Sequence, residues 1–363
     1  MDTSFRNERL SNPNNSFEFK KTNKDSFSKP SFDFSVINNQ ITPHDIEDEC
    51  NVLLRQPKQV GLFSVRTANQ CLMDAKEQPI PRDLFYSLVF ENEITILFAD
   101  TGVGKSIFSV QIANDISETD KVLYIDLELS DKQFQKRYSE NYTNEFVFRE
   151  NFIRSTFFRP FKVPEDVDYD TYFVGSLTNM IMTTETKIII IDNLTKILSS
   201  DTDTARKTKP LMDLLCDLKF EFGLTMLLLE HTRKTDNSRP ICLNDLQGSK
   251  MKANFADAVF TIGRSAKDKN LRYVKQLKVR SCEFEFDSEN VLVYEVVKED
   301  SFLGFQFIEY GNEGDHLKQL TDNERENRHE QILDLKNKGL SNVEIGKRLG
   351  ISEAAVRKQL KKG

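Results

Sequence analysis

Ala99-Asp-Thr-Gly-Val-Gly-Lys-Ser106 stands between an apolar run, Ile94–Phe98, and an amphipathic stretch, Lys105–Ile116. A strand that passes through a glycine-containing loop into a helix is the arrangement that cradles phosphate. Gly102 and Gly104 let the backbone curl until successive N–H groups point inward. Lys105 supplies a point charge to the β- and γ-phosphates of a nucleotide, and the Ser106 hydroxyl is placed to ligate Mg²⁺. The helix beginning near Lys105 adds its positive end. The stretch fits the phosphate-loop pattern everywhere except at its first position, where Ala99 replaces Gly, a change a tight turn tolerates if φ stays negative. Ala99, Asp100, Thr101, Gly102, Val103, Gly104, Lys105 and Ser106 are therefore read as the cradle for ATP.

Outward from the loop the chain alternates. Strands are expected at Val122–Leu127, Phe152–Phe157, Ile188–Asp192 and Leu224–Leu229. Helices are expected at Asp131–Tyr142, Tyr172–Met182 and Thr208–Phe222 between them. Short apolar runs separated by amphipathic helices imply an α/β fold with a mainly parallel sheet covered on both faces. Ala258–Ile262, Tyr273–Val279 and Val291–Val297 follow with little helix between them, which implies an antiparallel extension at the sheet edge. Ile188–Ile191 ends in Asp192, and downstream of a phosphate loop such a carboxylate holds a water on Mg²⁺.

Glu128 ends the strand after the loop helix, in Leu127-Glu-Leu-Ser-Asp-Lys-Gln-Phe-Gln-Lys-Arg137. A carboxylate at a strand's C-terminal edge beside the loop is where a general base belongs. Here the chain resembles the RecA-like ATPases, and most closely the hexameric helicases of the DnaB and plasmid RepA type, over about Phe85 to Val297. The resemblance implies that Glu128 polarises the attacking water and that His231, in Glu-His-Thr-Arg-Lys, senses the γ-phosphate. It implies further that Lys278 and Arg280 reach a neighbouring subunit's site as an arginine finger, although basic residues also protect edge strands. Leu246-Gln-Gly-Ser-Lys-Met-Lys-Ala-Asn-Phe-Ala-Asp257 looks like the family's Gly-Ser segment. Two basic loops near it, one with Arg206 and Lys207, the other with Arg233, Lys234, Arg239, Lys250 and Lys252, correspond to loops that grip single-stranded DNA in such rings.

The C-terminal part has a different character. Arg325–Gly363 carries ten Lys/Arg against five Asp/Glu in a chain of net charge -7. His329–Gly339, Val343–Leu349 and Glu353–Lys362 read as three short helices, with Ser341 or Asn342 and Ser352 as caps and Gly339 as a stop. Ile332, Leu335, Leu340, Ile345, Leu349, Ile351, Val356 and Leu360 suffice for a small core. This resembles a helix-turn-helix domain of the response-regulator and sigma-factor kind. The resemblance implies duplex DNA contacts from Arg357, Lys358, Lys361 and Lys362. DnaB relatives carry their accessory domain at the other end, so the plan departs from theirs.

These readings divide the chain into a tail at 1–45, a helical and extended lead-in at 46–84, an ATPase domain at 85–310, a linker at 311–324 and a small all-α domain at 325–363. The tail is rich in Ser, Asn and Lys, and its phenylalanines, such as Phe17 and Phe19, could dock on a protein partner. The polar N-terminus argues against a signal peptide, and Ile188–Ile191 is too short to span a bilayer. Five scattered cysteines without a CxxC pair read as reduced cytoplasmic thiols, and four histidines leave no room for a histidine-rich metal centre. The expectation is an ATP- and Mg²⁺-dependent homo-oligomer, hexameric if the resemblance extends so far, that acts on DNA as a helicase-like factor of a plasmid or mobile element. A DNA-bound regulator switched by ATP and a non-enzymatic scaffold are the alternatives.

Overall fold

The computed structural model describes residues 58–159, 161–197, 205–233, 237–248, 250–319, 322–349, 351 and 353–360. The tail at 1–45 lies outside them. Two compact units divide at Pro79. In the first, Lys58–Val60 pairs antiparallel with Phe63–Val65, and helix Ala68–Lys76 starts on a capping box between Thr67 and Gln70.

The second unit is built on a nine-stranded sheet. Its strands, in chain order, are β1 (Ile94–Ala99), β2 (Val122–Asp126), β3 (Phe152–Ser155), β4 (Ile188–Asp192), β5 (Thr225–His231), β6 (Ala258–Arg264), β7 (Leu271–Lys278), β8 (Val291–Glu299) and β9 (Phe302–Gly311). Their spatial order is β9-β8-β7-β6-β1-β5-β4-β2-β3. The six strands from β6 to β3 are parallel, and β7, β8 and β9 are antiparallel. The helices around it are α1 (Lys105–Ile116), α2 (Asp131–Arg137), α3 (Tyr169–Thr184), α4 (Ala205–Phe222) and α5 (Lys250–Phe255).

Alternation of side chains along buried strands sends successive residues to opposite faces. Leu97, Ala99, Ile188, Ile190, Leu227 and Leu229 pack with α1, β8 and β9 in one core. Ile96, Phe98, Ile189, Ile191, Met226 and Leu228 pack with α3 and α4 in the other. The central strands are thus apolar on both sides, as a parallel sheet covered by helices requires.

The structure departs from expectation in three places. The helix from Asp131 stops at Arg137, because Tyr138 turns inward against Phe134, Phe148 and Phe302 and a short hairpin, Ser139–Glu140 with Asn144–Glu145, follows. Lys278 ends an interior strand, not an edge strand: β7 is flanked by β6 and β8, and the true edges are β3 and β9. The polar stretch after Gly311 is not a free linker. Glu313 and His316 are buried there, Glu313 bonded to Lys275, Ser288 and the Ile241 amide.

At the C-terminus, α6 (Asp322–Asn337), α7 (Asn342–Leu349) and α8 (Glu353–Leu360) close around Ile332, Leu335, Ile345 and Val356, with Leu340, Leu349, Ile351 and Leu360 packed beside them. Ser341 and Glu344 cap α7 reciprocally. Among the described residues no helix is long and apolar enough to cross a membrane.

Candidate active site

The loop between β1 and α1 curls because two of its residues have positive φ, Gly102 at 70° and Gly104 at 118°. A Cβ on Gly104 would in addition stand 2.9 Å from the Phe305 ring of β9. Lys105 folds back under the loop. Its ammonium donates to the Ala99 carbonyl at 2.7 Å and lies 3.3 Å from His231 Nδ1. Burial lowers its pKa, against the pull of Asp192, Glu128, Glu230 and Asp100. Among the described residues its bonding partners are carbonyls and an imidazole, with no carboxylate in direct contact.

The neighbouring strands end in carboxylates. Asp192 closes β4 and is 1% exposed. Tyr124 donates to its Oδ2 at 2.9 Å, the Ser106 hydroxyl lies near the same carboxylate, and Oδ1 has no partner. Burial pushes its pKa up to about 6. Asp126 closes β2 in the matching register position, Asp192 opposite Asp126, yet has a different task. Its Oδ1 accepts the amides of Glu128 and Leu129, and Arg154 on β3 holds Oδ2 at 2.9 Å. Asp126 therefore fixes the turn that presents Glu128.

Glu128 accepts a hydrogen bond from Asn193 Nδ2 and stands 3.8 Å from His231 Nε2. The His231 imidazole first, then the Lys105 ammonium, hold its carboxyl below the ordinary range although burial opposes them. Lys105, Glu128, Asp192, Asn193 and His231 thus form one connected group at the C-terminal edge of the parallel strands. Behind it lies a fully buried ion pair. Lys252 Nζ is 2.6 Å from Glu230 Oε2, and Glu230 Oε1 accepts from Thr195 Oγ1 at 2.5 Å and from the His231 amide at 2.9 Å.

That pair corrects the reading of Lys252 as a channel-loop cation: its side chain is wholly buried and committed to Glu230. Arg239 is likewise turned inward, on Asp245. Arg233 is exposed and bonds the Gly248 carbonyl. Lys234, Lys361 and Lys362 lie outside the described residues, as do the side chains of Arg206, Lys207 and Lys250. Lys278 donates to the carbonyls of Ala253 and Ala256, and Arg280 pairs with Asp257 at 2.6 Å. Both stand where β6 and β1 begin, at the opposite end of the sheet from this chain's own loop. Arg357 is exposed and paired with Glu353, and Lys358 is exposed.

Sequence reasoning passed over Asp126, Asn193, Glu230 and Lys252's true partner. Asp126 carried a signal, since it ends its strand as Asp192 does. The Glu230–Lys252 contact joins residues 22 apart on different elements, and no spacing announces it.

The donor set suits a magnesium-bound triphosphate. Lys105 is a buried cation without a contacting carboxylate, and Asp192 has a buried oxygen without a partner beside the Ser106 hydroxyl.

Residues 58–237 match the family model described as an AAA domain. No curated protein matches the sequence closely enough to count as a relative. Among solved structures, one ATPase domain is 16% identical, with 59% of this chain and 85% of that chain covered at a TM-score of 0.45. A KaiC-like protein from Pyrococcus horikoshii OT3 is also 16% identical, over 60% of this chain and 90% of that one, with a TM-score of 0.43. The glycine loop on a parallel sheet, the carboxylates aligned beside it and the family match together identify the core of this chain as a RecA-like P-loop ATPase domain.

Proposed function

We propose that the chain hydrolyses ATP with Mg²⁺ and couples hydrolysis to work on DNA, as a helicase-like factor of a plasmid or mobile element assembled from several copies. The observation that carries the hydrolysis is the meeting of Lys105, Asp192 and Glu128 at one strand edge. The inward amides of the loop and the Lys105 ammonium bind the β- and γ-phosphates. Ser106 and Asp192 would hold Mg²⁺, Asp192 through a water, and the bound ion would supply neutralisation of phosphate charge. Glu128, kept ionised by His231 and Lys105, orients the attacking water and accepts its proton on a carboxylate oxygen. His231, within 3.3 Å of the Lys105 ammonium, is placed to register whether a γ-phosphate is there.

DNA action rests on other observations. Arg233 stands exposed on the loop after β5, two residues beyond His231, which supports a single-strand contact close to the sensor. Exposed Arg357 and Lys358 on α8 support duplex binding by the three C-terminal helices. Lys278 and Arg280 stand away from this chain's loop, so a finger role for them belongs to a neighbouring copy. Mixing Arg280→Ala with Lys105→Ala protein tests it: activity should reappear at mixed interfaces. The test of the whole reading is the ATPase rate with and without single-stranded DNA. Stimulation by the strand is expected, and a rate indifferent to DNA would leave an ATPase without this coupling. The C-terminal helices favour a second reading, a regulator that binds a duplex site and uses ATP as a switch; it predicts duplex binding without unwinding.

A further inference from the structure

Arg264 and Arg272 stand directly opposite one another on β6 and β7. Like charges in that position repel unless something anionic lies between or beside them. Their surroundings differ. Arg272 is buried and spends its donors on backbone: Nε on Val103 O at 2.7 Å, Nη1 on the carbonyls of Lys269 and Leu271. It clamps the phosphate loop from beneath. Arg264 is exposed, and its Nη2 touches the Thr101 carbonyl of the same loop at 3.1 Å. A guanidinium has five N–H donors, so most of those on Arg264 remain to be used. Neither arginine is in an ion pair among the described residues. The fit around the loop is close, because a Cβ on Gly102 would come within 3.2 Å of Arg264 Nη2.

The order of strands says which part of a nucleotide Arg264 faces. Glu128, Asp192 and His231 come from β2, β4 and β5, all on one side of β1, whereas β6 lies on the other side. A triphosphate whose γ-phosphate meets those three residues must run across the loop, and its ribose end leaves on the β6 side. We propose that Arg264 is a nucleotide ligand supplied by the same subunit, a cation for the phosphate next to the ribose, distinct from the γ-phosphate machinery. The inference rests on the ATPase reading above. Arg272 holds the loop and Arg264 adds charge at its outer lip, and a bound phosphate there also resolves the repulsion between the two.

The experiment is equilibrium titration of purified full-length protein with fluorescently labelled ADP and with a non-hydrolysable ATP analogue, at low and high salt. Parent, Arg264→Ala and Arg264→Gln are compared, the last because it keeps an N–H for the Thr101 carbonyl without the charge. Both variants should bind ADP and the analogue more weakly by the same factor, on the order of tenfold or more for a lost charge-assisted bond. They should also show a shallower salt dependence than the parent. Parent-like ADP affinity in Arg264→Gln would make Arg264 a clamp on the loop and overturn the proposal. Loss of the ATP analogue with ADP unaffected would move Arg264 to the γ-phosphate and also overturn it. Failure of the parent to bind either nucleotide would instead overturn the ATPase reading on which the proposal stands. Thermal melts of the three proteins identify a folding defect, which an exposed side chain should not produce.

Discussion

Replacing Lys252 by Met removes an ammonium that sits 2.6 Å from Glu230 Oε2 with both side chains wholly buried. The carboxylate keeps two neutral donors, Thr195 Oγ1 and the His231 amide, but loses its counter-charge. Breaking a buried pair from one side costs about 3–5 kcal/mol, because the surviving charge cannot reach water. Domain stability is roughly 5–15 kcal/mol, so Lys252→Met should lose about a fifth of it or more. For a domain of this size each kcal/mol shifts Tm by about 2–4 °C, which predicts a melting point lower by on the order of 10 °C. Adding Glu230→Gln should recover most of the loss, since removing both charges of a buried pair is close to neutral. Urea titration followed by far-UV circular dichroism reads both effects. Parent-like stability in Lys252→Met, or a double variant weaker than the single one, would refute this account of the pair.

Three further outcomes are expected. Glu128→Gln should retain nucleotide binding and lose about 10²-fold in hydrolysis rate, measured by phosphate release; a rate near the parent's would reduce Glu128 to a helix-start acid. His316 is buried, with Nδ1 on Ser265 Oγ at 2.8 Å and Nε2 without a partner, and burial, with Lys267 nearby, lowers its pKa from 6.5. The unfolded chain therefore binds this proton more readily, so stability should fall as pH drops below about 6.5, and His316→Gln should flatten that dependence in urea titrations at about pH 5 and pH 7.5. Removing Asp322–Gly363 should leave ATP hydrolysis intact and abolish binding to duplex DNA in gel-shift titrations; equal duplex affinity in the truncated chain would assign α6–α8 to protein contacts.

The parts of the fold legible in the sequence are those where one local rule decides. Gly104 before Lys105 marks the start of α1, and Ile188–Asp192 is apolar on both faces because it lies mid-sheet. β9 was not legible: Phe302–Gly311 mixes Gly304, Gln306 and Glu309 with aromatics, since half of it faces solvent at the sheet edge. The overlong helix after Asp131 failed because Tyr138 is drawn into an aromatic cluster built from distant residues. Within the site, Lys105 and Ser106 follow from the glycine loop that opens α1, and Glu128, Asp192 and His231 from their places at or just past strand ends; the structure brings them together. Which cations are free was not legible. Lys252 and Arg239 look like loop residues in sequence, and only tertiary packing gives them buried carboxylate partners.

The central claim is that the loop from Ala99 to Ser106 binds ATP for hydrolysis. Phosphate release from Mg²⁺-ATP by the parent chain and by Lys105→Ala, each shown folded by circular dichroism, tests it most directly. The account predicts steady turnover by the parent and none above background in Lys105→Ala, whose buried ammonium no longer offsets the triphosphate charge. Equal turnover by the two proteins would contradict it.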